Sequence, residues 1–260
     1  MNTYSFGYPW YFTHGHLVLA ACFLLTTILV RLKWVRFVAA ALTLWALSAF
    51  GICQLVLRWN RPVDLPTQNF LKGGVGRVID LGAGSGRATI AVGLARPQVK
   101  LVALDDFSAQ YIRDNGPATT IANARAAGIA DRVEVLTADM RKIPAPDASF
   151  DGVVSTYAID HLGRDGIEQT LGEVKRILRP GGEFLMLVIR GDAWLGWCFG
   201  PLMMHGLRGP EFWQGELRGH GLDIVEQGTA PGTLWYMCRS GQPVAAGMME
   251  VDRPKEVSRR

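Results

Sequence analysis

Between Trp10 and Val30 the chain has no Asp, Glu, Lys or Arg, and between Phe37 and Leu57 it again has none. Each run is 21 residues long. A helix of that length reaches roughly 30 Å, the thickness of a bilayer's hydrocarbon core. Such runs must either pack inside a protein or enter a membrane. Trp10 and Tyr11 open the first run, Trp34 stands in the connection and Trp59 follows the second, depths at which aromatic side chains gather at membrane interfaces. A secretory signal would need an early basic region, and Met1 to Pro9 contains no Lys or Arg. A buried soluble hairpin rarely keeps two runs this long free of charge. The pattern predicts a membrane hairpin over residues 1–60, with transmembrane helices at about 10–30 and 37–57. Small residues at Ala39, Ala46, Ala49 and Gly51 would let the two helices approach closely. His14 and His16 are expected at the wet interface.

Composition says that the apolar excess is local. Hydrophobic residues make up 49% of the chain and charged residues 19%, too apolar for a wholly soluble enzyme and too polar for a fully embedded one. The net charge of +4 gathers beside the spans (Arg31, Lys33, Arg36, Arg58, Arg61), where anionic lipid headgroups are the natural partners. No basic stripe interleaves with aromatics, so nucleic acid is not expected as a partner. The four cysteines form no C-x-x-C pair, and neither a disulfide framework nor a metal site is expected.

Residues 61–76 read as a linker, with Pro62, Pro66, Gly73, Gly74 and Gly76. Beyond it, over residues 77–240, short apolar or β-branched runs alternate with helical patterns. Strands are expected at Arg77–Leu81, Lys100–Leu104, Arg132–Thr137, Asp151–Thr156 and Glu183–Ile189. Ile167, Leu171, Val174 and Leu178 share one helical face. This alternation predicts an α/β, Rossmann-like, doubly wound and mostly parallel sheet. Two runs near Asp223–Gln227 and Thr233–Cys238 have no helix between them, which makes the last strand antiparallel. Residues 241–260 are polar and aperiodic, and are expected to form a flexible tail.

One motif carries the chemistry. Val78-Ile79-Asp80-Leu81-Gly82-Ala83-Gly84-Ser85-Gly86 is an apolar strand that ends in an acid and a glycine-rich turn, followed by a helix from Arg87. Glycines permit a tight turn and a close ligand approach, and the helix start offers free N–H groups. A dinucleotide fingerprint needs G-x-G-x-x-G, but Arg87 fills the last slot. About 20 residues on, Asp105 ends the second strand, where an acid can accept from both ribose hydroxyls; Asp106 is its neighbouring alternative. Either acid could instead simply cap the next helix.

With Asp80 in front, this pattern resembles motif I of the class I S-adenosylmethionine-dependent methyltransferases, and the resemblance runs from about Gly73 to Ser240. Three further segments support it: Leu136-Thr137-Ala138-Asp139-Met140, Ser149-Phe150-Asp151-Gly152, and Leu178-Arg179-Pro180-Gly181-Gly182. It implies S-adenosylmethionine as cofactor, with Asp80, Gly82, Gly84, Gly86, Asp105, Asp106, Asp139 and Met140 around it. Asp139 would meet the adenine amino group and Met140 its ring. The pattern is closest to methyltransferases of small molecules, quinones and lipids.

Methyl transfer is an in-line displacement, so positioning matters most and a base is needed only if the nucleophile carries a proton. At the end of the fourth strand, His161 or Asp160 could be that base and Tyr157 could line the pocket; His161 could equally pack a loop. Gly191 to Gly221 is rich in large apolar groups, among them Trp194, Trp197, Phe199, Leu202, Met203, Met204 and Trp213. An apolar acceptor, the bilayer surface or a plain core helix would each explain it.

The resulting expectation is an integral enzyme of the inner or cytoplasmic membrane, its catalytic domain facing the cytoplasm, acting on a small, apolar or lipid-phase acceptor. The rival is a structural or assembly subunit of a membrane protein complex, docked through the hairpin. Every cofactor motif lies after Arg77, so removal of Met1–Leu57 is expected to leave cofactor affinity nearly intact.

Overall fold

The computed structural model describes residues 4–200 and 207–241. The expected tail from 242 onward and Leu202, Met203 and Met204 lie outside the described residues.

The two uncharged runs are helices, α1 (Trp10–Leu29) and α2 (Lys33–Leu57). By length and composition each could cross a membrane. They pack on one another along a seam of small side chains, Ala39, Thr43, Ala46, Ala49 and Cys53, the buried residues of α2. Gly51, expected on that seam, lies off it. Of α1 only Ala20 is buried. Leu24, Leu25, Ile28, Trp34, Phe37 and Leu44 stay exposed, so the hairpin is not the core of the fold beside it.

That fold is a seven-stranded sheet in the order β3-β2-β1-β4-β5-β7-β6. The strands are β1 (Val75–Leu81), β2 (Gln98–Asp105), β3 (Val133–Thr137), β4 (Phe150–Thr156), β5 (Leu178–Ile189), β6 (Leu222–Ala230) and β7 (Thr233–Ser240). The first five pair in parallel, and β7 runs antiparallel to both β5 and β6. Helices α3 (Arg87–Ala95), α4 (Pro117–Ala126), α5 (Arg164–Ile177), α6 (Ala193–Phe199) and α7 (Pro210–Gly219) complete it.

Alternate side chains of β1 point to opposite layers. Ile79 and Leu81 join a core with Ile167, Leu171, Val174 and Trp213. Val78 joins the other, with Ile90, Leu101 and Ala103. Leu178, expected on the α5 face, instead starts β5; α5 stops at Ile177. The Pro180-Gly181-Gly182 turn does not precede the strand but lies inside it, as a shift of register against β4 between Phe150 and Gly152. Pro180 cannot donate to a ladder, and Gly181 takes a positive φ of 77°, so an irregularity there is the only way to keep the strand continuous.

One contact is unanticipated. Phe6, before the hairpin, is 2% exposed and belongs to the core on the Val78 side of the sheet.

Candidate active site

The first two parallel crossovers set the site. The chain leaves β1 through Gly82, Gly84 and Gly86, all with positive φ, and enters α3 at Arg87. Gly82 has no room for a side chain: a Cβ would lie 2.3 Å from Ala158 Cβ and 3.1 Å from Met140 Cε. That places Met140 and the β4 loop directly over the turn. At Gly84 a Cβ would meet only Ile112 Cδ1, at 3.5 Å.

Asp80 is wholly buried. Its Oδ2 accepts from the Thr89 hydroxyl at 2.6 Å, and its Oδ1 has no partner. Burial lifts its pKa to about 7, against the pull of the Thr89 bonds. Asp105, at the end of β2, accepts from Gly84 N–H at 2.8 Å and Phe107 N–H at 2.6 Å, and burial again raises its pKa. Its neighbour Asp106 is exposed and accepts from Ser108 N–H and Oγ, a local turn away from the glycines. Asp139 is gripped by Arg141, Nη2 to Oδ2 at 2.6 Å, which holds its carboxyl below the usual range.

The β4 end supplies the second half of the cleft. Tyr157 has a left-handed φ of 53°, and its hydroxyl pairs with Thr233 Oγ1 at 2.7 Å. Asp160 Oδ2 accepts from Ile189 N–H at 2.9 Å, while its Oδ1 is buried without a partner. Burial raises the Asp160 pKa, opposed by Ile189 N–H and by the nearby His161 and Arg208. His161 is exposed, its ring 6.4 Å from Tyr111. The structure thus gathers Asp80, Gly82, Gly84, Gly86, Asp105 and Met140 on one side and Tyr157 and Asp160 on the other. Asp106 and His161 are exposed.

Two residues at this cleft, Tyr111 and Arg208, are invisible to sequence reading, and a third, Trp194, belongs to the apolar stretch between Gly191 and Gly221 that the sequence shows. The Tyr111 ring lies 6.4 Å from that of His161, and burial raises its phenol, with nearby Tyr8, Asp105 and Asp160 raising it further. Arg208 donates to the carbonyls of Asp160 and Leu162 at 3.4 and 3.1 Å. Trp194, at the start of α6, covers Gly232, where a Cβ would lie 2.5 Å from the indole. No spacing or periodicity marks Tyr111 or Arg208.

Residues 78–182, the span holding this turn and most of the cleft, match a family model described as a methyltransferase domain. Over these residues the chain is similar to methyltransferase domains, the family that its glycine turn resembles. Demethylmenaquinone methyltransferase of Thermus thermophilus is 31% identical over 132 residues, 50% of this chain and 54% of that protein. The 24-methylenesterol C-methyltransferase 2 of Oryza sativa subsp. japonica is 31% identical over 110 residues, 42% of this chain and 28% of the other. A U6 snRNA (guanine-N(2))-methyltransferase of Bos taurus reaches 30% over 114 residues, 43% of this chain and 21% of that protein. The chain therefore spans about half the length of the first of these relatives and less of the others, and the domain alone does not fix the acceptor. In fold, an O-methyltransferase family protein from Burkholderia thailandensis superposes with a TM-score of 0.55 at 16% identity, covering 88% of this chain and 71% of that one.

Proposed function

We propose that the protein is a membrane-anchored S-adenosylmethionine-dependent methyltransferase of a small apolar acceptor that reaches the site from the lipid phase. Residues 1–60 would form the anchor, 61–76 the linker and 77–240 the catalytic domain, on the cytoplasmic side of the membrane.

The observation that carries this reading is how α6 meets the hairpin. Trp45 Nε1 donates to Trp197 O at 2.9 Å, and His16 Nε2 lies 2.8 Å from Cys198 O, a contact only a ring N–H can make. Trp197 Nε1 donates in turn to Ser48 Oγ at 3.0 Å. The last carbonyls of a helix have no partner of their own, and in lipid an unmet carbonyl costs several kcal/mol. Here hairpin side chains meet them. His16 lies about 9 Å along α1, and from it to the tip only about 20 Å of helix remains. That falls short of a core of about 30 Å. The tip carries Arg31, Lys33 and Arg36, which must reach headgroups or water. A spanning hairpin then needs its near third, so α6, uncharged from Ala193 to Phe199, lies at the level of the near leaflet. It starts against Gly232, the neighbour of Thr233, and ends on the hairpin, a route from lipid to the reacting centre. Exposed Trp197 suits that level. The quinone- and sterol-named relatives agree with such an acceptor.

The residues fit the cofactor. The orphaned Asp80 Oδ1 is an acceptor at the glycine turn for its ammonium group, Asp105 offers oxygens toward a ribose, and Met140 an apolar surface toward the ring. When bound, S-adenosylmethionine supplies a methyl group activated on a sulfonium. Asp160 Oδ1, buried and unpartnered, would take the proton of an acidic acceptor group, while Tyr157 and Trp194 exclude water.

The test is methyl transfer from labelled cofactor by the full-length protein in native membranes, followed by lipid extraction. Label is expected in the lipid extract, and Trp197→Ala should reduce it several-fold with S-adenosylhomocysteine affinity unchanged. Label confined to water-soluble products would overturn the lipid-phase acceptor. No transfer, with the protein held in a larger complex, would favour a structural subunit.

A further inference from the structure

The five residues Tyr4–Tyr8, just before the hairpin, are strapped across the glycine turn, and we infer that they hold the cofactor loop in its binding shape, so that cofactor affinity depends on the segment leading into the hairpin. This rests on the cofactor reading above and names residues that no cofactor motif contains.

The strap is bonded residue by residue. Ser5 N–H donates to Asn123 Oδ1 at 2.9 Å, and Asn123 Nδ2 donates back to Ser5 O at 2.8 Å. The same Nδ2 donates to Ser85 O at 2.8 Å, in the glycine turn. Ser85 Oγ donates to Phe6 O at 3.0 Å. Arg113 N–H donates to Gly7 O at 2.7 Å, where a Cβ on Gly7 would lie 2.4 Å from Arg113 O at a φ of +74°. Phe6 plugs the core between these anchors. Each partner borders the cofactor cleft: Ser85 lies in the turn, Asn123 in α4, and Arg113 in the loop whose Ile112 approaches Gly84.

Arg87 ties the strap to the far end of the hairpin. Its Nη1 donates to Tyr8 Oη at 3.2 Å, its Nη2 to Leu57 O at 3.1 Å and Arg58 O at 3.3 Å, and its Nε to Arg61 O at 2.9 Å. Its guanidinium stands over the Phe6 and Tyr8 rings, 5.6 Å from each centroid. Both ends of the hairpin therefore converge on the first residue of the helix that the glycine turn opens. Phe6, Gly7 and Arg87 are positioning residues: they act on the turn, and the turn acts on the cofactor.

The experiment uses the full-length protein in detergent, with S-adenosylhomocysteine as probe in calorimetry and hydrogen exchange of the 82–87 amides without ligand. Phe6→Ala and Gly7→Ala should each weaken binding roughly tenfold or more, about 1.4 kcal/mol, at a temperature where the protein stays folded. Phe6→Leu, which refills the core, should recover most of the affinity, and Leu44→Ala, on the exposed hairpin face, should bind like wild type. Exchange in the turn should quicken in the two weakened variants only. Unchanged affinity in folded Phe6→Ala and Gly7→Ala would overturn the inference. If the wild type itself does not bind, the cofactor reading falls, and the exchange measurement still decides whether the strap holds the turn: unaltered exchange in both variants overturns it.

Discussion

Asp80→Asn should separate stability from cofactor binding. Burial raises the Asp80 pKa from 3.8 to about 7, while the unfolded chain titrates near 4. Between these values the folded protein keeps a proton that the unfolded chain has released. The stability from this group is complete below about pH 4 and is lost as pH rises through about 7. Three units at about 1.4 kcal/mol each set a ceiling of roughly 4 kcal/mol. An Asn keeps an acceptor for the Thr89 hydroxyl but carries no charge, so it has no such slope. Thermal unfolding of the ligand-free protein in detergent, from about pH 5 to about pH 8.5, should show the wild type losing stability and Asp80→Asn holding level. At the alkaline end the variant should be the more stable protein. Binding should move the other way, because the ionised carboxylate is the better acceptor for an ammonium group. Asp80→Asn should weaken S-adenosylhomocysteine by about 1.5–3 kcal/mol, the scale of a hydrogen bond to a charged group. Parallel pH curves for the two proteins would refute the assigned protonation, and equal affinities would refute the contact.

Asp160→Asn should lower kcat by roughly 10²–10⁴ for an acceptor that must lose a proton, with cofactor affinity unchanged; an equal loss in His161→Ala would move the proton to the exposed imidazole. Because burial raises the Asp160 pKa, the rate should climb with pH above the ordinary carboxylate range and then level. If the hairpin spans a membrane, Tyr4–Tyr8 packed on the domain puts the hairpin tip on the side opposite the domain. A cysteine at Val35, in a chain whose exposed Cys22 is replaced, should react with an impermeant reagent in intact cells; reaction only in inverted vesicles would reverse the orientation.

What was legible in the sequence was whatever repeats with a short period or needs a special backbone. Two charge-free runs announced α1 and α2. Alternating runs announced the sheet, and three glycines after Asp80 announced the turn because each must take a positive φ. Boundaries slipped where local chemistry was ambiguous. Gly76, read as linker, lies within β1, and Pro180 and Gly181, read as a turn, lie within β5. The cleft was half legible: Asp80, Asp105 and Met140 end strands or follow them closely, whereas Tyr8, Tyr111 and Arg208 arrive from loops and termini. The seat of α6 on the hairpin was equally hidden, since it joins residues 149 to 182 positions apart, in part through the main-chain carbonyls of Trp197 and Cys198, which carry no sequence identity.

If the strap holds the turn, Met1–Leu57 cannot be removed without touching cofactor affinity, against the expectation from the motifs. That expectation treated the cofactor site as the sum of its motifs, but a glycine turn has little rigidity of its own and takes its shape from the groups packed on it. Ser85 and Arg87 are held from outside the domain's own sequence span. In a dinucleotide fold the slot of Arg87 would be a glycine, allowing close helix-to-strand packing. The guanidinium fills it instead and faces the C-terminal end of α2, where Leu57 and Arg58 present carbonyls at the negative pole of a long helix. A lysine offers one compact charge and could not span the same set of acceptors, whereas the fork of an arginine reaches three carbonyls and a phenol at once. The residue that rules out one cofactor class is thus also the joint between hairpin and cofactor turn, and a change in how α2 ends would be felt first at Arg87.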